Sequence, residues 1–358
     1  MATAQDHDVK RLLVYMPTWL GDCVMAMPTL RSLRELYPNA HITMLVRKNV
    51  KPLCSDLPWV DRIIAIRSKK GSGKTDSRRG SLIKLARRLA AGNFDLAVLL
   101  PNSFKSALVA KLAGAKRIVG YDRDGRGFML TDRLIPRRDK AGFVPVPTLD
   151  YYLGIPRFLG STDVDHDMVL FTREQDDQAV DQKLKSAGID FAAGDQYILL
   201  NPGAQKPMKR WAPENFAKVA DQLAQNHNFK IVVTGSPAEK EILKAVVGSA
   251  NTNIVNLAEL GMNLRLLKSA VKFAHLMITN DTGTRHISAA MGTPVVTLFG
   301  PTGPEWTTID FEEEIELSAP GICDACKSQP WAKTGKCMHT ITTDQVYNAV
   351  LDLLDLND

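Results

Sequence analysis

Residues 276–302, with the sequence LMITNDTGTRHISAAMGTPVVTLFGPT, decide the predicted fold because they contain a complete strand–helix–strand unit. Apolar runs at 276–279 and 295–299 predict two buried strands, and the segment 286–291 between them predicts a helix. In such a unit the helix begins at the carboxyl ends of the strands, where free backbone N–H groups and the helix dipole favour an anion, usually a phosphate. The stretch therefore predicts an α/β domain, although the spacing alone fits an ordinary capped helix equally well.

The residues at the start of this helix suit an anion. Asp281 or Thr282 can cap the helix with its side chain. Gly283 has no Cβ that would keep a diphosphate away from the backbone. These three positions are the first candidates for a binding site.

Strand and helix patterns alternate along the chain on both sides of this unit. Between about residues 143 and 182 prolines and acidic residues interrupt the alternation, which predicts a boundary between two domains. We assign residues 1–175 to a first doubly wound domain, 176–340 to a second one, and 341–358 to a closing amphipathic helix. Two such domains are expected to face a cleft with the carboxyl ends of their strands. Outside the opening stretch, strands are predicted at 11–16, 41–46, 60–66 and 94–101, at the start of RIVGYDRDGRGFML, and at 253–260. Residues 197–204 are predicted to form a strand and a loop, and residues 230–241 a strand, a glycine turn and the start of a helix.

The composition is that of a globular protein, and 358 residues are enough for about two domains. Hydrophobic residues make up 45% and charged residues 23% of the chain, which excludes a disordered protein. The 45 Lys and Arg residues against 39 Asp and Glu leave a net charge of +6, which suits anionic substrates or a membrane face and is too small to predict nucleic-acid binding. No run of about 18 apolar residues occurs and the start MATAQDHDVK is polar, so we expect a soluble, cytoplasmic protein that is not exported.

Asp22 follows the first predicted strand, in the sequence PTWLGDCVMAMPTLRSLRELYP. Apolar residues recur at helical spacing after it, which predicts one helix over about residues 22–37 that ends at Pro38. Aspartate is common at the first turn of a helix, so the spacing by itself favours a capping role for Asp22.

Basic residues of the first domain have two interpretations. The segment 69–80, KKGSGKTDSRRG, lacks the spacer and the preceding strand of a phosphate-binding loop, and we interpret it as a solvated charged loop. Arg123 and Arg126 lie in a polar, glycine-rich loop where they can meet anions. Asp122 and Asp124 in the same loop fit turn formation rather than a metal-binding acid pair.

Four motifs in order resemble a known family. The segments PTWLGDCVMAMPTLRSLRELYP, LPNSFKSALVAKLAG, NPGAQKPMKRWAPENF and NDTGTRHISAAMGTPVVTLFGPT resemble the ADP-heptose:lipopolysaccharide heptosyltransferases, specifically the heptosyltransferase II branch. The resemblance covers most of the chain. It implies the GT-B fold, with two Rossmann-like domains, and an inverting, metal-independent transfer of L-glycero-D-manno-heptose from ADP-heptose to the lipopolysaccharide inner core. It also implies that no cofactor is needed.

The resemblance implies a role for each candidate residue. Asp22 matches the catalytic carboxylate that takes the proton from the acceptor hydroxyl, which replaces the capping interpretation. Lys209 matches the lysine on the diphosphate, and His286, about one helical turn after the D-T-G motif, fits a phosphate donor. Ala204 and Gln205 stand where related enzymes often carry hydroxyl groups, so a phosphate hydrogen bond is either missing there or replaced by backbone N–H groups and Gln205. The remaining implied contacts are Asp281, Thr282 and Gly283 at the pyrophosphate and ribose, Met262 at adenine, Glu239 or Glu241 at the ribose hydroxyls, and Lys105, Arg123 and Arg126 at the acceptor.

The tail contains a cysteine cluster with two interpretations. Cys323, Cys326, Cys337 and His339 could form a tetrahedral zinc site. Because the Cys337–His339 spacing is tight and similar tails occur in the heptosyltransferase II branch, we favour reduced thiols. The implied partners are an ADP-sugar and a lipid-linked oligosaccharide at the cytoplasmic face of the inner membrane, with no nucleic acid and with the oligomeric state left open. The last helix is expected to cross back to the first domain.

Three alternatives belong to other classes or substrates. A nucleotide-dependent oxidoreductase would need a G-x-G-x-x-G motif after a strand, and none is found. A two-lobed binding protein would be exported, which the polar start does not predict. A related glycosyltransferase with another nucleotide-sugar donor stays open, because the D-T-G motif and Lys209 recognise mainly the diphosphate.

Overall fold

The protein is described by a computed structural model that covers residues 8–66, 78–140, 142–300, 304–319 and 336–356. The chain divides into two compact units. The first unit contains Met1–Met168 and Glu305–Ile309, and the second contains Val169–Pro304 and Asp310–Asp358. The chain therefore enters the second unit after Met168 and returns once to the first unit, for the short segment that carries Trp306.

The first unit is a doubly wound α/β domain. Its six-stranded parallel sheet has the order β3-β2-β1-β4-β5-β6. The central strands are buried because helices cover both faces, as their continuous apolar sequences predict. The strands are β1 (Arg11–Tyr15), β2 (His41–Arg47), β3 (Arg62–Ile66), β4 (Leu96–Leu99), β5 (Arg117–Tyr121) and β6 (Asp132–Leu134), and a separate hairpin consists of β7 (Arg138–Asp139) and β8 (Gly142–Phe143). The helices are α1 (Leu20–Met25), α2 (Met27–Leu36), α3 (Arg78–Ala90), α4 (Phe104–Leu112) and α5 (Thr148–Leu159).

The single helix predicted over residues 22–37 is two helices in the structure. Helix α1 ends at Ala26 and α2 begins directly after it, with φ −90° and ψ −3° at Ala26. Pro28 at the start of α2 has no N–H to continue the α1 hydrogen-bond pattern, which accounts for the break. Because α1 begins at Leu20 and Trp19 occupies the N-cap position, Asp22 lies inside the first turn and does not cap the helix.

The second unit repeats the topology of the first. Its parallel sheet has the order β11-β10-β9-β12-β13-β14, and the opening stretch of sequence forms β12, α10 and β13 as predicted. The strands are β9 (Tyr197–Asn201), β10 (Lys230–Val233), β11 (Ile254–Asn256), β12 (Leu276–Asn280), β13 (Val295–Phe299) and β14 (Glu314–Ser318). The helices are α6 (Glu174–Ser186), α7 (Pro213–His227), α8 (Lys240–Ser249), α9 (Leu264–Lys272), α10 (Gly283–Met291) and α11 (Thr343–Leu353).

The last helix, α11, belongs to the second unit, where Val346, Ala349 and Val350 are buried in that unit's hydrophobic core. The Trp211 indole donates a 2.9 Å hydrogen bond to the Ile341 carbonyl just before the helix. That the helix crosses back to the first domain stays a prediction. No helix in the described parts of the chain is long and apolar enough to span a bilayer.

Candidate active site

The carboxyl ends of the first-unit strands surround a cavity of about 660 Å³. Asp22 of α1 lies at its wall, with Asn102 after β4, Tyr121 at the end of β5, and Tyr151 of α5. Ligands of open α/β sheets bind at this edge, because the loops that follow the strands converge there. The cavity is therefore the candidate site of the first unit.

Asp22 is a carboxylate with a raised pKa. Burial raises its pKa to about 6, and no hydrogen bond reaches its carboxylate from the residues with described positions. Burial also raises the pKa of the Tyr152 hydroxyl in the same wall, and the nearby Asp22 carboxylate adds to that shift. A carboxylate with this pKa is ionised at neutral pH and accepts a proton more readily than an exposed aspartate does.

An aromatic pair forms part of the cavity wall. The Tyr121 and Tyr151 rings stack with their centroids 3.7 Å apart and their planes 16° apart. The Tyr151 hydroxyl donates a 3.0 Å hydrogen bond to Asn102 Oδ1, which fixes its ring. The Tyr121 hydroxyl lies against Gly154 of α5, where an added Cβ would come within 2.2 Å of it. The glycine thus leaves the space that this ring occupies.

The basic residues predicted to bind the acceptor have different positions. Arg123 lines the cavity, with its guanidinium carbon 3.9 Å from the centroid of the Phe143 ring. Lys105 is exposed in the first turn of α4 and does not line the cavity. The cavity instead contains Arg137 and Arg157, which sequence reasoning missed.

Arg126 corrects the prediction of an acceptor contact. Its side chain is fully buried, and burial lowers its pKa to about 10. Its guanidinium donates to the carbonyl of Tyr121 at 3.0 Å, to the hydroxyl of Ser106 at 3.0 Å and to the carbonyl of Pro101. These bonds hold the ends of β4 and β5 together, so Arg126 stabilises the site from within the protein interior.

Trp306 was also missed, because it is remote in sequence from every other residue of the cavity. Its segment belongs to the first unit, and its carbonyl accepts a 2.8 Å hydrogen bond from the Thr148 hydroxyl. No pattern in the sequence predicts that Trp306 lines the cavity. Asn102 could have been found, since it directly follows a predicted strand.

In the second unit, two asparagines at strand ends organise the start of α10. Asn201 at the end of β9 donates to the hydroxyls of Thr279 at 2.9 Å, Thr282 at 3.1 Å and Thr284 at 2.6 Å. The side chain of Asn280, at the end of β12, accepts a 3.0 Å hydrogen bond from the backbone N–H of Trp211 and donates a 2.8 Å hydrogen bond to the Pro202 carbonyl. The loop after β9 and the start of α10 are thereby tied together.

The D-T-G motif lies at the N-terminus of α10, as predicted. Thr282 occupies the N-cap position, but its side chain makes no capping hydrogen bond, and Gly283 is the first helical residue. The first backbone N–H groups of α10 are thus not taken by that side chain, which suits an anion. Asp281 forms a 2.5 Å ion pair with Lys209 Nζ, and the Asp281 and Lys209 side chains are 8% and 19% exposed.

His286 is almost fully buried in α10, and its Nδ1 has no hydrogen-bond partner among the residues that the structure describes. Burial lowers its pKa to about 3, and the neighbouring Arg285 and Lys209 charges contribute. The imidazole is therefore neutral at physiological pH. It can offer a phosphate an N–H group but no positive charge.

The structure favours Glu239 over Glu241 for a ligand contact. Glu239 Oε2 accepts a 2.7 Å bond from the Ser236 N–H, and its carboxylate lies so close to Gly203 that an added Cβ there would come within 2.3 Å of it. The residue thus faces the loop after β9. Glu241 is exposed on α8 and lies 3.6 Å from Lys244.

The remaining candidates are less constrained. Met262 is half-buried in the turn before α9, and Gln205 is exposed in the loop after β9. Of the alternative zinc ligands, Cys323 and Cys326 lie outside the described residues, Cys337 is buried and His339 is exposed. Over the described ranges, no group of three or more His, Cys, Asp or Glu side chains is arranged to hold a metal ion.

A buried ion cluster behind α10 was not predicted. Arg285 Nε and Nη2 contact the two Glu314 oxygens at 2.6 and 2.7 Å, and Nη2 contacts Glu316 Oε1 at 2.5 Å. Both glutamates belong to β14. The cluster fixes the start of α10 to the edge of the sheet.

Comparison with known proteins identifies the family. A model of glycosyltransferase family 9 (heptosyltransferase) matches residues 82–329. Lipopolysaccharide heptosyltransferase 2 of Escherichia coli strain K12 is 28% identical over 305 residues, which cover 83% of this chain and 84% of the relative.

Solved structures agree with this match. The family 9 glycosyl transferase from Veillonella parvula DSM 2008 superimposes with a TM-score of 0.83 at 26% identity and covers 99% of both chains. ADP-heptose lps heptosyltransferase II of E. coli superimposes with a TM-score of 0.78 at 25% identity, covering 97% of this chain and 99% of that one. The predicted GT-B fold class is confirmed, and the chain belongs to glycosyltransferase family 9, the heptosyltransferase family.

Proposed function

We propose that the protein transfers L-glycero-D-manno-heptose from ADP-heptose to the inner core of lipopolysaccharide, with inversion and with Asp22 as the general base. The observation that carries the proposal is the state of Asp22, a partly buried carboxylate without a hydrogen-bond partner in the described structure, in the wall of a cavity large enough for a sugar. The similarity to lipopolysaccharide heptosyltransferase 2 supports this choice of donor and acceptor.

The chemistry requires one proton acceptor and one stabilised leaving group. As the acceptor oxygen attacks the anomeric carbon, its proton passes to the Asp22 carboxylate and the bond between that carbon and the diphosphate breaks. With a pKa of about 6, Asp22 is ionised before the reaction at neutral pH. The ADP that departs carries the bonding electrons as additional negative charge, so positive and N–H groups must hold its diphosphate.

The second unit supplies those groups in the proposal. Lys209 and the first N–H groups of α10, beginning at Gly283, bind the diphosphate, and neutral His286 donates an N–H. Glu239 accepts bonds from the ribose hydroxyls, and Met262 packs on adenine. Lys209 is already held at the site by Asp281, so little ordering is needed when the diphosphate arrives.

The acceptor binds in the first-unit cavity. The Tyr121–Tyr151 pair offers an aromatic face to a sugar ring, and Arg123 offers a positive charge to its acidic groups. We propose that the reaction needs no metal ion, that the protein acts in the cytoplasm, and that it meets its lipid-linked acceptor at the inner membrane. If no metal ion is required, heptosyl transfer should persist after chelation with EDTA.

The test replaces Asp22 by asparagine, which keeps the size of the side chain and removes the base. We expect Asp22→Asn to lower heptosyl transfer by about 10³-fold while ADP binding changes less than about threefold. Asp150→Asn is the matched control, because Asp150 lines the same cavity but lies 3.5 Å from both Arg157 and His166. A loss of less than tenfold is expected for the control. Equal losses in the two variants, or an equal loss of ADP affinity and turnover in Asp22→Asn, contradict the role of Asp22.

The donor base is tested separately by thermal shift. We expect ADP to raise the melting temperature more than UDP or GDP does, because ligands that bind only the folded state stabilise it in proportion to their affinity. A larger shift with UDP or GDP would assign the enzyme to another nucleotide sugar and leave the role of Asp22 standing.

A further inference from the structure

Three threonine hydroxyls lie together around the side chain of Asn201, at the start of α10. The Asn201 amide nitrogen, Nδ2, is 2.9 Å from Thr279 Oγ1, 3.1 Å from Thr282 Oγ1 and 2.6 Å from Thr284 Oγ1. Asn201 and Thr279 are buried, whereas Thr282 and Thr284 are partly exposed. We name these four side chains the hydroxyl cluster. Of the four residues, only Thr282 was predicted to contact the donor.

The hydrogen bonds of the hydroxyl cluster have a direction. The Asn201 amide has two hydrogens for three oxygens. Its contact with Thr284 is the shortest and its contact with Thr282 the longest, so the two hydrogens go to Thr284 and Thr279. The Thr279 hydroxyl donates its own hydrogen to the Asn280 carbonyl at 2.8 Å. Thr282 Oγ1 therefore accepts a hydrogen bond from the Thr284 hydroxyl, which lies 2.7 Å away.

This direction leaves the hydroxyl hydrogen of Thr282 without an acceptor inside the hydroxyl cluster. The next oxygen, Thr279 Oγ1, is 3.4 Å away and already receives an amide hydrogen. The Thr282 side chain also makes no capping bond that would hold it against the helix. Because Thr282 is partly exposed, its O–H is available to a ligand at the N-terminus of α10. A donor at that end of a helix suits an anion.

Other side chains at the start of α10 fit the same kind of ligand. Lys209 carries a positive charge beside Asp281. His286 is only 3% exposed, and its Nδ1 has no hydrogen-bond partner among the described residues. The Lys209 charge is close enough to lower the pKa of this imidazole. A buried polar atom without a partner is uncommon in native proteins, and a ligand that reaches it is one explanation.

We propose that Asn201 and Thr284 are positioning residues that orient the Thr282 hydroxyl toward the diphosphate of the nucleotide donor. A chain of donors runs from the Asn201 amide through the Thr284 hydroxyl to the Thr282 hydroxyl, and each hydrogen bond polarises the next. Such a chain ends in a donor, which fits a phosphate oxygen and not a metal cation. The inference rests on the proposed function, in which the diphosphate binds at the start of α10.

The test compares ADP with adenosine by isothermal titration calorimetry on the full-length protein. The ratio of the two affinities isolates the part of binding that comes from the diphosphate. Thr284→Val keeps the shape of the side chain and removes the hydroxyl, so the ratio should fall about fivefold. Thr284→Ser keeps the hydroxyl, and its ratio should stay within about twofold of that of the unchanged protein. Thr252→Val is the matched control, because Thr252 precedes β11 at the opposite edge of the sheet.

Asn201→Asp reverses the direction of the chain. A carboxylate has no hydrogens to donate, so the Thr284 and Thr282 hydroxyls turn their hydrogens toward it and their lone pairs toward the ligand. The ratio of ADP to adenosine affinity should fall about 100-fold, while the affinity for adenosine changes less than about threefold. The melting temperature of each variant without ligand shows whether it is folded.

The outcomes separate this inference from the proposed function. Ratios that stay unchanged in Thr284→Val and Asn201→Asp overturn the inference, and so does equal affinity of the unchanged protein for ADP and adenosine. Equal losses of ADP and adenosine affinity also overturn it, because they assign the two residues a purely structural role. A loss in Thr284→Ser as large as that in Thr284→Val does the same.

Heptosyl transfer is measured on the same variants. If the unchanged protein transfers heptose while the ratios do not respond, the proposed function stands and the inference fails. If the ratios follow the expectation and heptosyl transfer is absent, the positioning role of Asn201 and Thr284 stands and the proposed function fails.

Discussion

The two units have the same strand order but different strand ends. In the second unit, the side chains at the carboxyl edge are bonded to one another, through Asn201, Asn280 and the Lys209–Asp281 pair. In the first unit, the same edge surrounds a cavity in which no hydrogen bond reaches the Asp22 carboxylate from the described residues. One topology thus carries a strand edge whose side chains are bonded to one another in the second unit and an open cavity in the first. The following predictions test this difference, in order of decreasing effect.

The largest expected effect comes from breaking the buried ion cluster of the second unit. Arg285→Met leaves Glu314 and Glu316 without their buried partner and should lower the free energy of unfolding by about 3–5 kcal/mol. The first-unit counterpart, Arg126→Met, removes a guanidinium bonded to carbonyl and hydroxyl groups and should lower it by about 1–3 kcal/mol. Urea denaturation followed by circular dichroism measures both. Equal losses in the free energy of unfolding of the two variants would contradict this difference between the units.

Lys209→Met tests the preorganised ion pair. The variant should weaken ADP binding about 100-fold, because it removes a positive charge and leaves Asp281 facing the diphosphate. Adding Asp281→Asn should restore part of the affinity, since the remaining repulsion then disappears. Isothermal titration calorimetry measures the affinities, with Lys218→Met on the exposed side of α7 as the control. No recovery in the double variant would mean that Asp281 binds the donor by itself.

The first-unit cavity predicts that Asp22 supports activity but lowers the stability of the folded protein. Because burial raises the pKa of Asp22 to about 6, folding favours its protonated form, and that stabilisation is lost as the pH rises from about 4 through 6. At pH 8 Asp22→Asn should therefore be more stable than the unchanged protein by about 2 kcal/mol, and the gain should vanish below about pH 4.

The same pKa sets the acid side of the activity profile. If Asp22 is the base as proposed, turnover of the unchanged protein should fall about tenfold per pH unit below about pH 6, because the carboxylate must be ionised to accept a proton. Thermal unfolding and initial rates across pH 4–9 measure the two effects. A gain in stability that is independent of pH would show that the Asp22 carboxylate does not carry it.

The smallest expected effect concerns the aromatic pair. Gly154→Ala places a Cβ 2.2 Å from the Tyr121 hydroxyl and should raise the acceptor KM about tenfold by displacing the ring. Combined with Tyr121→Phe, the nearest contact becomes the ring carbon at 3.4 Å, which is ordinary packing, so the KM should return to that of Tyr121→Phe alone. Gly248→Ala, where nothing lies within 4 Å, is the control. If the double variant keeps the raised KM, the effect of Gly154→Ala arises outside the cavity.

The sequence predicted the fold well because continuous apolar strands and alternating helices leave few topologies for a parallel sheet. It did not predict the break at Ala26, where one missing N–H outweighs a regular helical pattern, or β14, whose half-buried residues alternate weakly. Local patterns do not reveal contacts made by remote residues. Local patterns therefore placed the D-T-G segment after a strand, the family resemblance singled out Asp22 and Lys209, and neither pointed to Trp306.

Arg126 illustrates the same limit. A loop arginine is normally exposed, so its sequence context favoured a ligand contact. Its burial depends on the carbonyl of Pro101 and on Ser106, which lie 25 and 20 residues earlier in the chain, and no local pattern contains that information. Glu239 and Glu241 could be separated only when their opposite orientations were known.

The break at Ala26 has a consequence for motion in the first unit. A helix as short as α1 is unstable by itself, and its fixed position depends on Cys23, Val24 and Met25, which are buried. The segment that carries Asp22 can consequently open without unwinding α2. Its backbone amides should exchange with deuterium sooner than those of α2, and sugar binding nearby should slow that exchange first.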